Sequence, residues 1–164
     1  VALHGCGGLY ARRGGGLSPR HEDWAQRLAA QGFIVLFPDS FGSRGVGPQW
    51  RVRILPTRPG RERAADALAA KAWLQSRPNV RAEAVSLLGW SNGGSTVLYA
   101  VAADRPVADG KPDFAKAVAF YPGCRVLAER GGWRPRMPAI RSRSRSRAST
   151  SASRRRATAP RSTA

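Results

Sequence analysis

The chain has 164 residues and a mass of 17.6 kDa, which suits one domain and leaves no room for two. Hydrophobic residues make up 42%, enough for a packed core, yet no run reaches the roughly 20 apolar residues that a membrane helix needs. A membrane role is therefore not expected. Net charge is +18, with 28 basic side chains against 10 acidic ones. Residues 139–164 alone hold eight Arg and no acid, and all basic residues in the chain except Lys71, Lys111 and Lys116 are Arg. Such a bias fits GC-rich coding better than a surface selected for nucleic acid, so no specific nucleic-acid partner is expected. The first ten residues carry no basic segment ahead of an apolar run. The chain starts at Val1 inside an apolar stretch and reads as a fragment, so the compartment stays open, with the cytoplasm favoured. Cys6 and Cys124 match no metal, haem or redox spacing and are expected as free thiols. No cofactor motif is found, and oligomeric state is not legible.

In chain order, Val1 to Leu3 reads as the end of a strand that enters the glycine-rich turn His4-Gly5-Cys6-Gly7-Gly8. Ser18-Pro19 supplies a helix start, Trp24, Ala25, Leu28 and Ala29 share a face, and Gly32 sits where the helix should stop. Phe33 to Phe37 is an apolar run of the kind buried on both faces of a parallel sheet. Residues 40–60, broken by glycines and prolines, read as a long surface loop. A second helix is expected from Arg61 to about Ser76, with Ala65, Leu68, Ala69, Ala72 and Trp73 on its apolar side. Residues 84–89 form the next strand, followed by a helix from about Ser95 to Ala103 and a last strand over 115–121. Strand and helix alternate throughout, so the fold class is α/β, with parallel strands and helices on both faces.

Chemistry concentrates at Gly89-Trp90-Ser91-Asn92-Gly93-Gly94, which has the GxSxG form of a nucleophile elbow between a strand and a helix. The elbow needs small residues at Gly89 and Gly93 because the turn is tight. It places Ser91, the candidate nucleophile, at a helix N-terminus whose dipole favours developing negative charge. Acyl transfer also needs oxyanion donors. The N–H of Asn92, next after the nucleophile, is the first, and the glycine-rich loop supplies the second, expected from Cys6 with Gly7 next. His4 precedes these donors and reads as a residue that orders the loop, not as a base.

The segments LHGCGG (3–8), FPDSFGSRG (37–45), LGWSNGG (88–94) and FYPGC (120–124) together resemble the α/β-hydrolase superfamily, and within it the dienelactone hydrolase family. The resemblance covers residues 1 to about 138. It implies a three-layer, mostly parallel sheet, present here only in its central strands, and hydrolysis of a small ester or lactone through an acyl-enzyme. The best-known members use Cys where this chain has Ser91. The resemblance also implies an Asp or Glu and then a His after the nucleophile. The only imidazoles are His4 and His21, and no acid follows Glu129. The triad is therefore incomplete and the chain is expected to be nearly inactive.

After Pro138 the composition changes to Arg, Ser, Ala and Thr without periodicity, so residues 139–164 are expected as a disordered tail beside a 1–138 hydrolase-like domain. Two explanations compete for this tail. It could bind RNA or another polyanion, which is the alternative function, or it could be out-of-frame translation replacing a core strand. It lacks the aromatic residues that stack on bases, and it begins inside the expected core, which favours the frameshift.

Overall fold

Four short strands pair in parallel in the same order in which they occur in the chain. The computed structural model describes residues 1–50, 52, 54–105, 110–124, 133–136 and 140–143. Strand β1 (Ala2–Leu3) leads to helix α1 (Pro19–Ala29), helix α2 (Glu62–Gln75), strand β2 (Leu87–Trp90), helix α3 (Asn92–Ala100), strand β3 (Ala117–Phe120) and strand β4 (Ile140–Arg143). Register is set by Leu3 opposite Gly89, Trp90 opposite Phe120 and Phe120 opposite Arg143.

Side chains alternate across the strands, so each face has its own core. Leu87, Ala117 and Ala119 join Leu3 in one cluster with Ala64, Ala67 and Leu74 of α2 and Val97, Leu98 and Val101 of the α3 segment. On the opposite face Trp90 and Phe120 stack with centroids 6.0 Å apart, and Trp24 of α1 meets each ring at 5.5 Å. The three-layer α/β arrangement is thus present.

Several boundaries and faces depart from expectation. Residues 33–37 form no strand: the segment runs alongside β1 with one backbone bond, Ala2 N–H to Leu36 O at 2.9 Å. Phe33 and Ile34 are 55% and 51% exposed, so the run lies at the sheet's margin and not between two layers. The buried stripe of α2 is Ala64, Ala67, Ala70, Lys71 and Leu74 with Arg63, while Trp73 is half exposed. The apolar Trp drew the expected stripe toward the wrong side, because two buried cations read as surface residues. Helix α3 starts three residues earlier than expected, directly at the elbow.

The segment expected to be a disordered tail begins differently. Its residues 140–143 extend the sheet as β4, using the free edge of β3, whose backbone groups any extended chain can satisfy. Residues 144–164, on which the rest of that expectation and the polyanion alternative depend, lie outside the described residues.

Helix α1 covers its face only in part. A groove of about 950 Å³ lined by Leu28, Phe33, Val35, Leu88 and Val118 opens beside it, away from the elbow. Among the described residues, no helix is long and apolar enough to cross a membrane.

Candidate active site

Leu87 to Trp90 carries the chain up the middle of the sheet and α3 carries it away, so the turn between them is confined to Ser91. Ser91 adopts φ 53° and ψ −115°, a conformation rarely open to a residue with a side chain. Its N–H bonds Phe120 O at 3.0 Å, and its carbonyl accepts from Ser95 N–H at 2.8 Å and from Ser95 Oγ at 3.3 Å. Ser95 Oγ in turn accepts the Gly123 N–H at 2.9 Å. The elbow is therefore fastened to the end of β3, and Tyr121, beside it, is the only other described non-glycine residue with positive φ.

The flanking glycines are required by contact. A Cβ on Gly89 would strike the Gly93 carbonyl and Val97, and one on Gly93 would strike Leu3 O and His4 O. The helix N-terminus thus rests on the backbone that leaves β1. A methyl on Gly5 would lie 3.6 Å from Ser91 Cβ, which puts the His4–Gly8 loop alongside the candidate nucleophile.

That loop is held from behind. Gln49 N–H donates to Cys6 O at 2.8 Å, and Gly8 N–H closes a turn onto Gly5 O at 3.2 Å. His4 is fully buried. Its Nδ1 lies 2.9 Å from Gly5 O and its Nε2 accepts the Ser40 N–H at 3.3 Å, which is the pattern of a neutral ring protonated on Nδ1. Phe41 packs edge-on at 4.6 Å. Burial first, and then the Arg63 charge, push its pKa from 6.5 down to about 4. His21 is also buried, with Nδ1 between Ser18 Oγ at 2.7 Å and Leu9 O at 3.1 Å, and burial lowers its pKa as well. Neither imidazole bonds Ser91.

The His4 shift fixes a pH dependence. An unfolded His4 takes a proton as pH falls through 6.5, whereas the folded one resists it until about 4. Stability is therefore complete above the first value and declines toward the second, by about 3 kcal/mol over that window. Thermal scans should show Tm falling between about pH 6.5 and 4.5, and the fall should flatten in His4→Gln. A Tm constant across that range would contradict this placement of His4.

Sequence reasoning brings Ser91, Asn92, Gly89, Gly93 and the Cys6 loop to one place; the structure puts the first four on one strand-to-helix turn, with Gly5 of the loop beside Ser91. Sequence reasoning missed Arg63, a fully buried guanidinium on the second residue of α2. Arg63 Nη2 donates to His4 O at 2.6 Å and Nη1 donates to Asn92 Oδ1. Its only sequence signal is the 63-67-70-74 spacing with buried Ala and Leu. Cys6 and Cys124 are free thiols. Among the described residues no group of three or more His, Cys, Asp or Glu is placed to hold a metal.

Two comparisons bear on this arrangement. The sequence pattern of the prolyl oligopeptidase family matches residues 20–119. A probable dipeptidyl-aminopeptidase B of Fusarium vanettenii is 38% identical over 76 residues, covering 46% of this chain and 8% of that protein. The chain thus spans less than a tenth of the length of that curated relative.

Proposed function

Because the chain belongs to the prolyl oligopeptidase family, within the α/β-hydrolase superfamily of serine hydrolases, we propose that Ser91 is its acyl-accepting nucleophile. The family is not the dienelactone hydrolase family that the four motifs resemble, although both have the same superfamily fold. The observation that carries the reading is the left-handed backbone of Ser91 on a strand-to-helix turn packed against the Gly5 loop.

In this reading Ser91 Oγ attacks the substrate carbonyl carbon. The Oγ–C bond forms while the π pair moves to the oxygen, which the Asn92 and Cys6 N–H groups receive. Collapse expels the alcohol or amine with the Oγ proton, and water then releases the acid. The family favours a peptide or similar amide carbonyl over a lactone, and the likeness to a dipeptidyl-aminopeptidase points to the same class. A small ester remains the simplest probe of the same chemistry.

The test is prolonged incubation with p-nitrophenyl acetate and with a dipeptidyl p-nitroanilide, followed by peptide mapping. Acetyl should accumulate on Ser91 and be lost in Ser91→Ala. Acetyl only on other side chains would overturn the reading, and release of the nitroanilide by the chain, absent in Ser91→Ala, would assign the peptide class.

A further inference from the structure

Arg63 is the one described charged side chain with no accessible surface, and no carboxylate of the described residues lies within ion-pair distance of it. The other buried cation, Lys71, has Asp113 at 3.3 Å. A chain gains little stability from a buried charge without a counter-ion, so its acceptors are the place to look for its use. They are His4 O, immediately before the donor loop, and the side chain of Asn92, whose own N–H is the other donor. Phe41 lies under the guanidinium, with Cζ 5.2 Å from its ring centroid, and leaves the planar fork little freedom to turn.

The sheet itself cannot fix the distance between those donors. Strand β1 is two residues long, and its pairing with β2 ends at Leu3 opposite Gly89. Beyond that point the ladder stops and the segments touch by packing, Gly93 against Leu3 O and His4 O, and Gly5 beside Trp90 O and Ser91 Cβ, contacts that carry no directional bond. A bidentate guanidinium adds two directional bonds to that packing, and no lysine could reach both acceptors from one nitrogen with the same planar geometry.

We propose that Arg63 is a positioning residue that sets the separation of the Cys6 and Asn92 backbone N–H groups by bridging His4 O and the Asn92 side chain. The proposal rests on the reading of Ser91 as nucleophile. Arg63 touches no reacting atom; it acts through the two segments it joins. Losing one oxyanion donor costs roughly 10²- to 10³-fold, so misplacing one should cost about tenfold or more.

The test measures the rate of Ser91 acetylation by p-nitrophenyl acetate at saturation, and the half-saturating concentration, in the full chain and in Arg63→Lys, Asn92→Ala and their double variant. Amide hydrogen exchange is followed in parallel. The expected result is about tenfold slower acetylation in each single variant, half-saturation within about twofold, and a double variant no slower than either single one. Wild-type rates in both single variants would overturn the proposal, as would losses that multiply in the double variant. If Arg63→Lys fails to fold, Asn92→Ala carries the comparison alone, because it removes the acceptor and keeps the donor N–H. If the unaltered chain shows no acetyl on Ser91, the nucleophile reading fails while exchange still decides about Arg63. Faster exchange confined to Cys6–Gly8 and Asn92–Gly94 supports the bridge, and unchanged or chain-wide exchange refutes it.

Discussion

Hydrolysis of p-nitrophenyl acetate by the 164-residue chain is expected to stay within roughly 10³ to 10⁴ of the rate in water, the level that an oxyanion hole and binding leave when a triad lacks its base. The reason lies in the two imidazoles. His4 has both nitrogens engaged, by Gly5 O and the Ser40 N–H, and His21, held through Nδ1 by Ser18 and Leu9 O with its ring packed beside Phe37 and Trp90, makes no bond to Ser91. A serine hydroxyl without a base is a weak nucleophile, whereas a thiol already supplies a few per cent thiolate at neutral pH. The helix N-terminus after residue 91 lowers a thiol pKa further. Ser91→Cys should therefore acylate faster than the natural chain by about 10²-fold or more at mildly alkaline pH, reversing the usual penalty for exchanging a nucleophile. Thioester mapped to position 91, and not to Cys6 or Cys124, is the readout. Equal acylation rates in the two proteins would mean that a base reaches Ser91 after all.

The second large effect is mechanical. In Gly93→Ala the new methyl would occupy the space of Leu3 O and His4 O, which belong to main chain and cannot swing aside. Relief requires α3 to lift off β1, which opens the core at Leu3 and Val97 and separates the elbow from the His4–Gly8 loop. A destabilisation of about 3 kcal/mol or more is expected, at the upper end for single substitutions. Gly16→Ala is the matched control: a Cβ there meets nothing within 4 Å and should change stability by no more than about 0.5 kcal/mol. Urea midpoints for the two variants check the contrast. Similar midpoints would show that the α3 N-terminus does not rest on β1.

How much of this was legible beforehand follows from how local each signal is. The elbow was readable because its demands are local: GxSxG between an apolar run and a helix fixes both the strained Ser91 and its glycines. The Gly5 loop was readable for the same reason. Strand status for residues 33–37 was not, because an apolar run records only a preference for burial. Phe33 and Ile34 stand at a margin that no pattern announces. The β4 strand was equally hidden, since pairing along a free edge is satisfied by backbone groups that every residue carries. Arg63 was missed because the usual cost of burying a guanidinium makes any arginine look like surface. Only the geometry of His4 O and Asn92 Oδ1 explains its place.

The proposal that Ser91 works between the Asn92 and Cys6 backbone donors is tested most directly by the structure of the chain phosphonylated with a p-nitrophenyl phosphonate during long incubation at alkaline pH. The phosphorus should be bonded to Ser91 Oγ, with its non-bridging oxygen about 3 Å from both Asn92 N and Cys6 N. An oxygen turned to solvent with neither N–H near it, or phosphonylation elsewhere with Ser91 left free, would contradict the account.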